Sequence, residues 1–140
     1  MNIRRGWTLQ ESEFFEVKFS RFQKKNIDLV RLILNNLDTY IEALNLGVAP
    51  QLIKAGFIHH EPGGVKAIDQ KGSRKGIGGT PKESRLYVFP DVSTRTLHLI
   101  TIGDKNSQKA DIADCKNFMS DLKEQAGEYD GREKKIYEHK

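Results

Sequence analysis

The segment KGSRKGIGGTPK, residues 71–82, carries four cations, Lys71, Arg74, Lys75 and Lys82, together with four glycines and no acid. Cations at that density, on a backbone largely free of Cβ atoms, suit close approach to a phosphate backbone and neutralisation of its charge. The competing reading is a solvated hairpin loop. The run that follows, SRLYVF at 84–89, places Arg85 inside an apolar strand. By alternation Arg85, Tyr87 and Phe89 share one face while Leu86 and Val88 take the other. An arginine beside an aromatic on the less aliphatic face fits a phosphate site; its bland counterpart is an ion pair to an acid on a neighbouring strand.

The histidines offer a second kind of chemistry. His59 and His60, followed by Glu61, have the composition of a metal or acid–base cluster. Adjacent side chains of a strand point to opposite faces, however, and no third ligand stands at metal spacing, so no metal site is expected. His98, inside an apolar strand, reads as a satisfied buried histidine. Cys115 falls among apolar helical positions and reads as an inert core thiol. The glycine loop lacks the G-x-x-x-x-G-K-[ST] spacing of a nucleotide-binding P-loop, and no small-molecule cofactor is expected.

These residues need elements to position them. Phe15, Phe19 and Phe22 recur at steps of four and three in a helix beginning near Ser12. With Asn26 or Asp28 as cap, a longer helix carries Ile27, Val30, Ile33, Leu34, Leu37, Ile41 and Leu44 as a broad apolar stripe, stopped by Gly47 and Pro50. The two read as an αα-hairpin, preceded by a short extended entry at Trp7–Leu9. Beyond Pro50 the period falls to about two: VKAIDQK (65–71), SRLYVF and TLHLITI (96–102) are the strand candidates, the last two an antiparallel hairpin through PDVSTR. Helical spacing returns from Ser107, with Ile112, Cys115, Phe118, Met119 and Leu122 on one side. The predicted class is α+β: an N-terminal helix hairpin packed on a small, mainly antiparallel sheet with a C-terminal helix. Residues 1–126 form one domain, and 127–140 read as a charged, loose tail.

A chain of 140 residues is long enough to bury a core unaided. Its net charge of +4 lies entirely ahead of Lys123, where the charges of the remaining stretch cancel, and suggests an anionic partner. A single cysteine suits a reducing cytoplasm, and no stretch approaches the ~20 apolar residues of a membrane span.

The element order, the ESEFFEVKFSRF start, the SRLYVF strand after a basic loop, and the run LITIGDKNSQKADIADCKNF together resemble the RelE/ParE/HigB superfamily of toxin components of bacterial toxin–antitoxin systems. The resemblance spans roughly residues 7–122. It implies a RelE-like fold, a cognate antitoxin as partner, and, for the family's enzymatic members, cleavage of mRNA on the ribosome. That reaction turns a 2′-hydroxyl onto the neighbouring phosphorus and expels the 5′-oxygen. It needs a base, an acid and cations around the crowded phosphorane, which clustered Lys and Arg can supply without a metal.

Carried over residue by residue, the resemblance assigns Arg85 to the scissile phosphate and Lys105 to support of the transition state, with Asp104 beside it. It aligns Lys71 and Arg74 with a lysine-rich strand end. Lys66, Lys75 and Lys82 become contacts to the nucleic-acid backbone, with plain solvated side chains as the alternative. The closing helix begins Lys109, Ala110, Asp111, Ile112 and lacks the tyrosine that some active relatives stack on the substrate base, so Tyr87 or Tyr137 would have to substitute. Two alternatives stay open: a ParE-like gyrase poison that cuts nothing, and a degenerate module that binds only its antitoxin.

Overall fold

The computed structural model describes residues 6–72 and 83–138, with side chains of the last helix described through 126. In chain order the elements are β1 (Thr8–Glu11), α1 (Phe15–Lys25), α2 (Ile27–Asn45), β2 (Ile58–His60), β3 (Lys66–Ile68), β4 (Ser84–Asp91), β5 (Thr96–Asp104) and α3 (Gln108–Glu138). The expected α+β arrangement is present. Two N-terminal helices and a C-terminal helix pack on a five-stranded sheet of order β1-β5-β4-β3-β2.

The sheet is larger than the sequence pattern indicated. The extended entry is β1, which pairs in parallel with β5, from Thr8 opposite Thr96 to Glu11 opposite Leu99. A parallel neighbour needs a long crossover, and the α1–α2 hairpin together with the intervening strands is that connection. The other three pairings are antiparallel. β2 has three residues, Ile-His-His, too few for alternation to register. α3 takes in most of the segment set apart as a tail.

Each face of the sheet carries its own core. On one side Phe15, Val30, Ile33, Leu37 and Tyr40 of the two helices cover Ile68, Leu86, Val88, Leu97 and Ile102. On the other, Ile112, Cys115, Phe118 and Met119 of α3 cover Val65, Ala67, Tyr87 and Ile100. The Arg85–Tyr87–Phe89 alternation therefore holds. A bulge in β5 opposite Tyr87 and Val88 inserts Ile100 and keeps the pairs Tyr87–Thr101 and Val88–Leu99 in place. His98 is buried between the rings of Phe89 and Phe118 and is driven towards its neutral form by burial, against the opposing charge of Asp91. The Cys115 thiol is pushed up to about 12, first by burial and then by the charge of Asp111, as suits an inert core group. Among the described residues no helix is long and apolar enough to cross a membrane.

A buried ionic node ties the layers together where the sheet ends. Asp111, fully buried in α3, accepts a 2.7 Å hydrogen bond from the Ser107 hydroxyl and pairs with the ammonium of Lys18 from α1. Both side chains lie over Gly103 of β5, where a Cβ would stand 2.0 Å from Asp111 Oδ2 and 2.2 Å from Ser107 Oγ.

Candidate functional site

Arg85, Tyr87, Glu83, Asp104, Lys105 and Gln108 line a polar cleft of about 270 Å³ at the edge between β4, β5 and the start of α3. Arg85 sits in register with Gly103, so no side chain of β5 opposes it. Lys105 is exposed in the short 3₁₀ turn that leads into α3. The carboxylate beside it is otherwise engaged. Asp104 Oδ1 accepts from the backbone N–H groups of Asn106 (2.9 Å) and Ser107 (3.2 Å), while the Asp104 N–H donates to the Ser107 hydroxyl at 3.1 Å. This is a capping box, which satisfies the free N–H groups of the turn and fixes the backbone under Lys105.

Arg85 is not bare. Its Nε donates to Glu83 Oε2 at 2.6 Å and its Nη2 lies 2.5 Å from the same oxygen; its Nη1 reaches Glu61 Oε2 at 3.4 Å. The ion pair is present, but its acids come from two positions earlier in the chain and from the turn after β2 rather than from a neighbouring strand. Burial would raise the Glu83 carboxyl, but the hydrogen bond and charge of Arg85, aided by Lys71 and His59, hold it below the usual carboxylate range.

The histidine pair divides as strand geometry requires. His59 faces the α3 side and sets its Nε2 2.6 Å from Oδ2 of Asp69, a fully buried carboxylate just beyond β3. Asp69 Oδ1 accepts the Lys71 N–H at 2.8 Å, and the Lys71 ammonium stands 3.7 Å from Oδ2. His60 points to the other face, where its Nδ1 meets the Lys66 ammonium at 2.7 Å. Lys66 is buried there, and burial lowers its pKa. It is thus on the opposite face from Arg85 and does not join the cleft.

The sequence could not have shown the partners of His59. Register pairs His59 with Ala67 across β2 and β3, which makes Asp69 a diagonal neighbour on the same face. That relation exists only once the three-residue β2 is recognised. Glu83 arrives from beyond the glycine loop, so that one nitrogen of His59 and one oxygen each of Asp69 and Glu83 lie within 4.8 Å of one another. Of the predicted residues, Arg85, Tyr87, Lys105 and Lys71 gather around this edge, while Arg74, Lys75 and Lys82, and Tyr137 as a side chain, lie outside the described residues. Tyr87 is buried and lines both the polar cleft and an apolar cavity of about 300 Å³ beneath α3; burial, followed by the charge of Asp111, raises its hydroxyl pKa.

The stem entering the glycine loop is anchored by α2, and the two stems are tied to each other. The Asn36 amide of α2 donates to the carbonyls of Asp69 (2.8 Å) and Lys71 (3.1 Å), and the Ser84 N–H donates to the Gln70 side-chain carbonyl at 3.0 Å. Replacing Asn36 with leucine leaves these two carbonyls without that donor and is expected to cost about 1–3 kcal/mol of stability. Urea unfolding checks this; a loss under about 0.5 kcal/mol would show that the anchor is dispensable. Compared with known protein families, curated proteins and solved structures, the chain matches none of them.

Proposed function

We propose that this protein is a toxin that cleaves mRNA on the ribosome through attack of a 2′-hydroxyl on the adjacent phosphorus. The observation that carries this is the partly exposed His59 held at 2.6 Å by the buried Asp69, near a cleft bearing Arg85 and Lys105. Asp69 orients the ring and favours the tautomer protonated on Nε2, which leaves the lone pair of Nδ1 as the base. His59 removes the 2′-hydroxyl proton, the new O2′–P bond forms, and the P–O5′ bond breaks. The departing 5′-oxygen takes a proton from solvent or from the Lys105 ammonium. Arg85 exchanges a carboxylate for the phosphate as substrate enters, and its guanidinium stabilises the equatorial oxygens of the phosphorane. The ribosome supplies orientation of the message, since the start of α3 offers no tyrosine for stacking on a base.

Translation of a defined message by purified ribosomes with added protein tests this. Cleaved message with 2′,3′-cyclic phosphate ends, formed with EDTA present and ribosomal magnesium kept sufficient, is the expected product. Intact message would overturn it. One observation favours the non-nucleolytic alternatives: Arg85 is paired with two carboxylates, so the cleft carries less free positive charge than its lysines and arginines suggest. Intact message with DNA breaks at gyrase sites would identify a gyrase poison, and neither lesion would leave an antitoxin-binding module.

A further inference from the structure

We propose that His59, Asp69 and Glu83 form a binding site for one divalent transition-metal ion, zinc above all. Their donor atoms come from three separate segments and lie within 4.8 Å of one another. A tetrahedral zinc with bonds of about 2.0–2.1 Å sets its donors about 3.4 Å apart, so the 2.6 Å His59–Asp69 contact must open and any longer separation close, each by about an ångström. Three protein ligands leave the fourth position open. One imidazole with two carboxylates favours zinc and its neighbours over magnesium, which prefers oxygen ligands.

The contacts around the donors suit them to this role. Asp69 is fixed by the Lys71 N–H on Oδ1 and presents Oδ2 towards His59. Both close contacts from Arg85 to Glu83 end on Oε2, so the guanidinium does not take up Oε1 and can orient the carboxylate from outside the metal sphere. Among the described residues, Asp69 meets Lys71 and both Glu61 and Glu83 meet Arg85, so each carboxylate already sits beside a cation that a metal ion could replace or adjoin. The Lys71 ammonium, 3.7 Å from Asp69 Oδ2, is the group in competition; with 55% of its side chain exposed it is free to swing into solvent. Binding stands on this geometry alone. Its consequence, inhibition by capture of the imidazole needed as base, rests on the RNA-cleaving reading.

The test is calorimetric titration of zinc into the full chain, stripped with EDTA and desalted, with millimolar magnesium throughout. One equivalent is expected to bind with micromolar affinity or better. His59→Ala and Glu83→Gln should each weaken it by more than about tenfold, a scale reached even by partners outside the metal sphere. Lys71→Ala should tighten it, and His60→Ala, on the opposite face, should leave it unchanged. Absence of a saturable equivalent, wild-type affinity in Glu83→Gln, or loss in His60→Ala would overturn the site. Zinc bound stoichiometrically by a protein whose His59→Ala variant still cleaves message would leave the metal site standing and remove His59 as the base, whereas zinc bound by a protein that leaves message intact would remove the RNA-cleaving reading instead.

Discussion

His59→Ala is expected to reduce cleavage of ribosome-bound message by about 10²–10⁴-fold, the usual contribution of one positioned acid–base group. Growth arrest on expression should disappear with it. The substitution removes a base that is partly exposed and oriented by a fully buried carboxylate. Asp69→Asn supplies an independent check. It keeps the size of the side chain but presents an amide able to donate to the ring, which alters the tautomer preference. Loss of rate should therefore occur without loss of message binding. His60→Ala is the control, because its ring bonds to Lys66 on the opposite face. Folded His59→Ala protein that cuts at the wild-type rate would sink the mechanism, whatever the behaviour of Arg85.

Gly103→Ala is expected to be among the most destabilising single changes in the chain, at about 3–5 kcal/mol, the scale of disrupting a buried ion pair. A methyl group there would stand 2.0 Å from Asp111 Oδ2 and 2.2 Å from Ser107 Oγ. Neither can yield freely. Asp111 is held between the Lys18 ammonium and the Ser107 hydroxyl, and Ser107 also takes the Asp104 N–H in the capping box. Moving the carboxylate aside would expose a buried charge without its partners and loosen α1 and α3 together. Thermal unfolding should shift down by about 10 °C or more for a chain of this size. A shift of only one or two degrees would mean that the node can rearrange, and that the glycine is not required by close approach.

The consequence extends to function. Gly103 is the register partner of Arg85, and Lys105 follows two residues later. Any Gly103 variant that remains folded should therefore move both cations relative to one another. Its cleavage rate should fall further than its stability alone accounts for. A variant with lowered stability but an unchanged rate would separate the node from the site.

The sequence by itself determined the helices and the two long strands, because their signals are local. Seven apolar positions in α2 recur on one helical face, and β4 and β5 are dense in β-formers with an evident turn between them. The shared face of Arg85 and Tyr87 also followed from alternation alone. Tertiary structure decided what those residues meet. A three-residue strand such as β2 carries too little pattern to be seen, and the parallel partnership of β1 with β5 joins segments nearly ninety residues apart. Glu61 reaches Arg85 and Asp69 reaches His59 only through those pairings, while Glu83, two positions before Arg85, is a local partner of the same guanidinium. Charge along a chain is additive, but the charge of a site depends on which segments fold against it, and that depends on strand register.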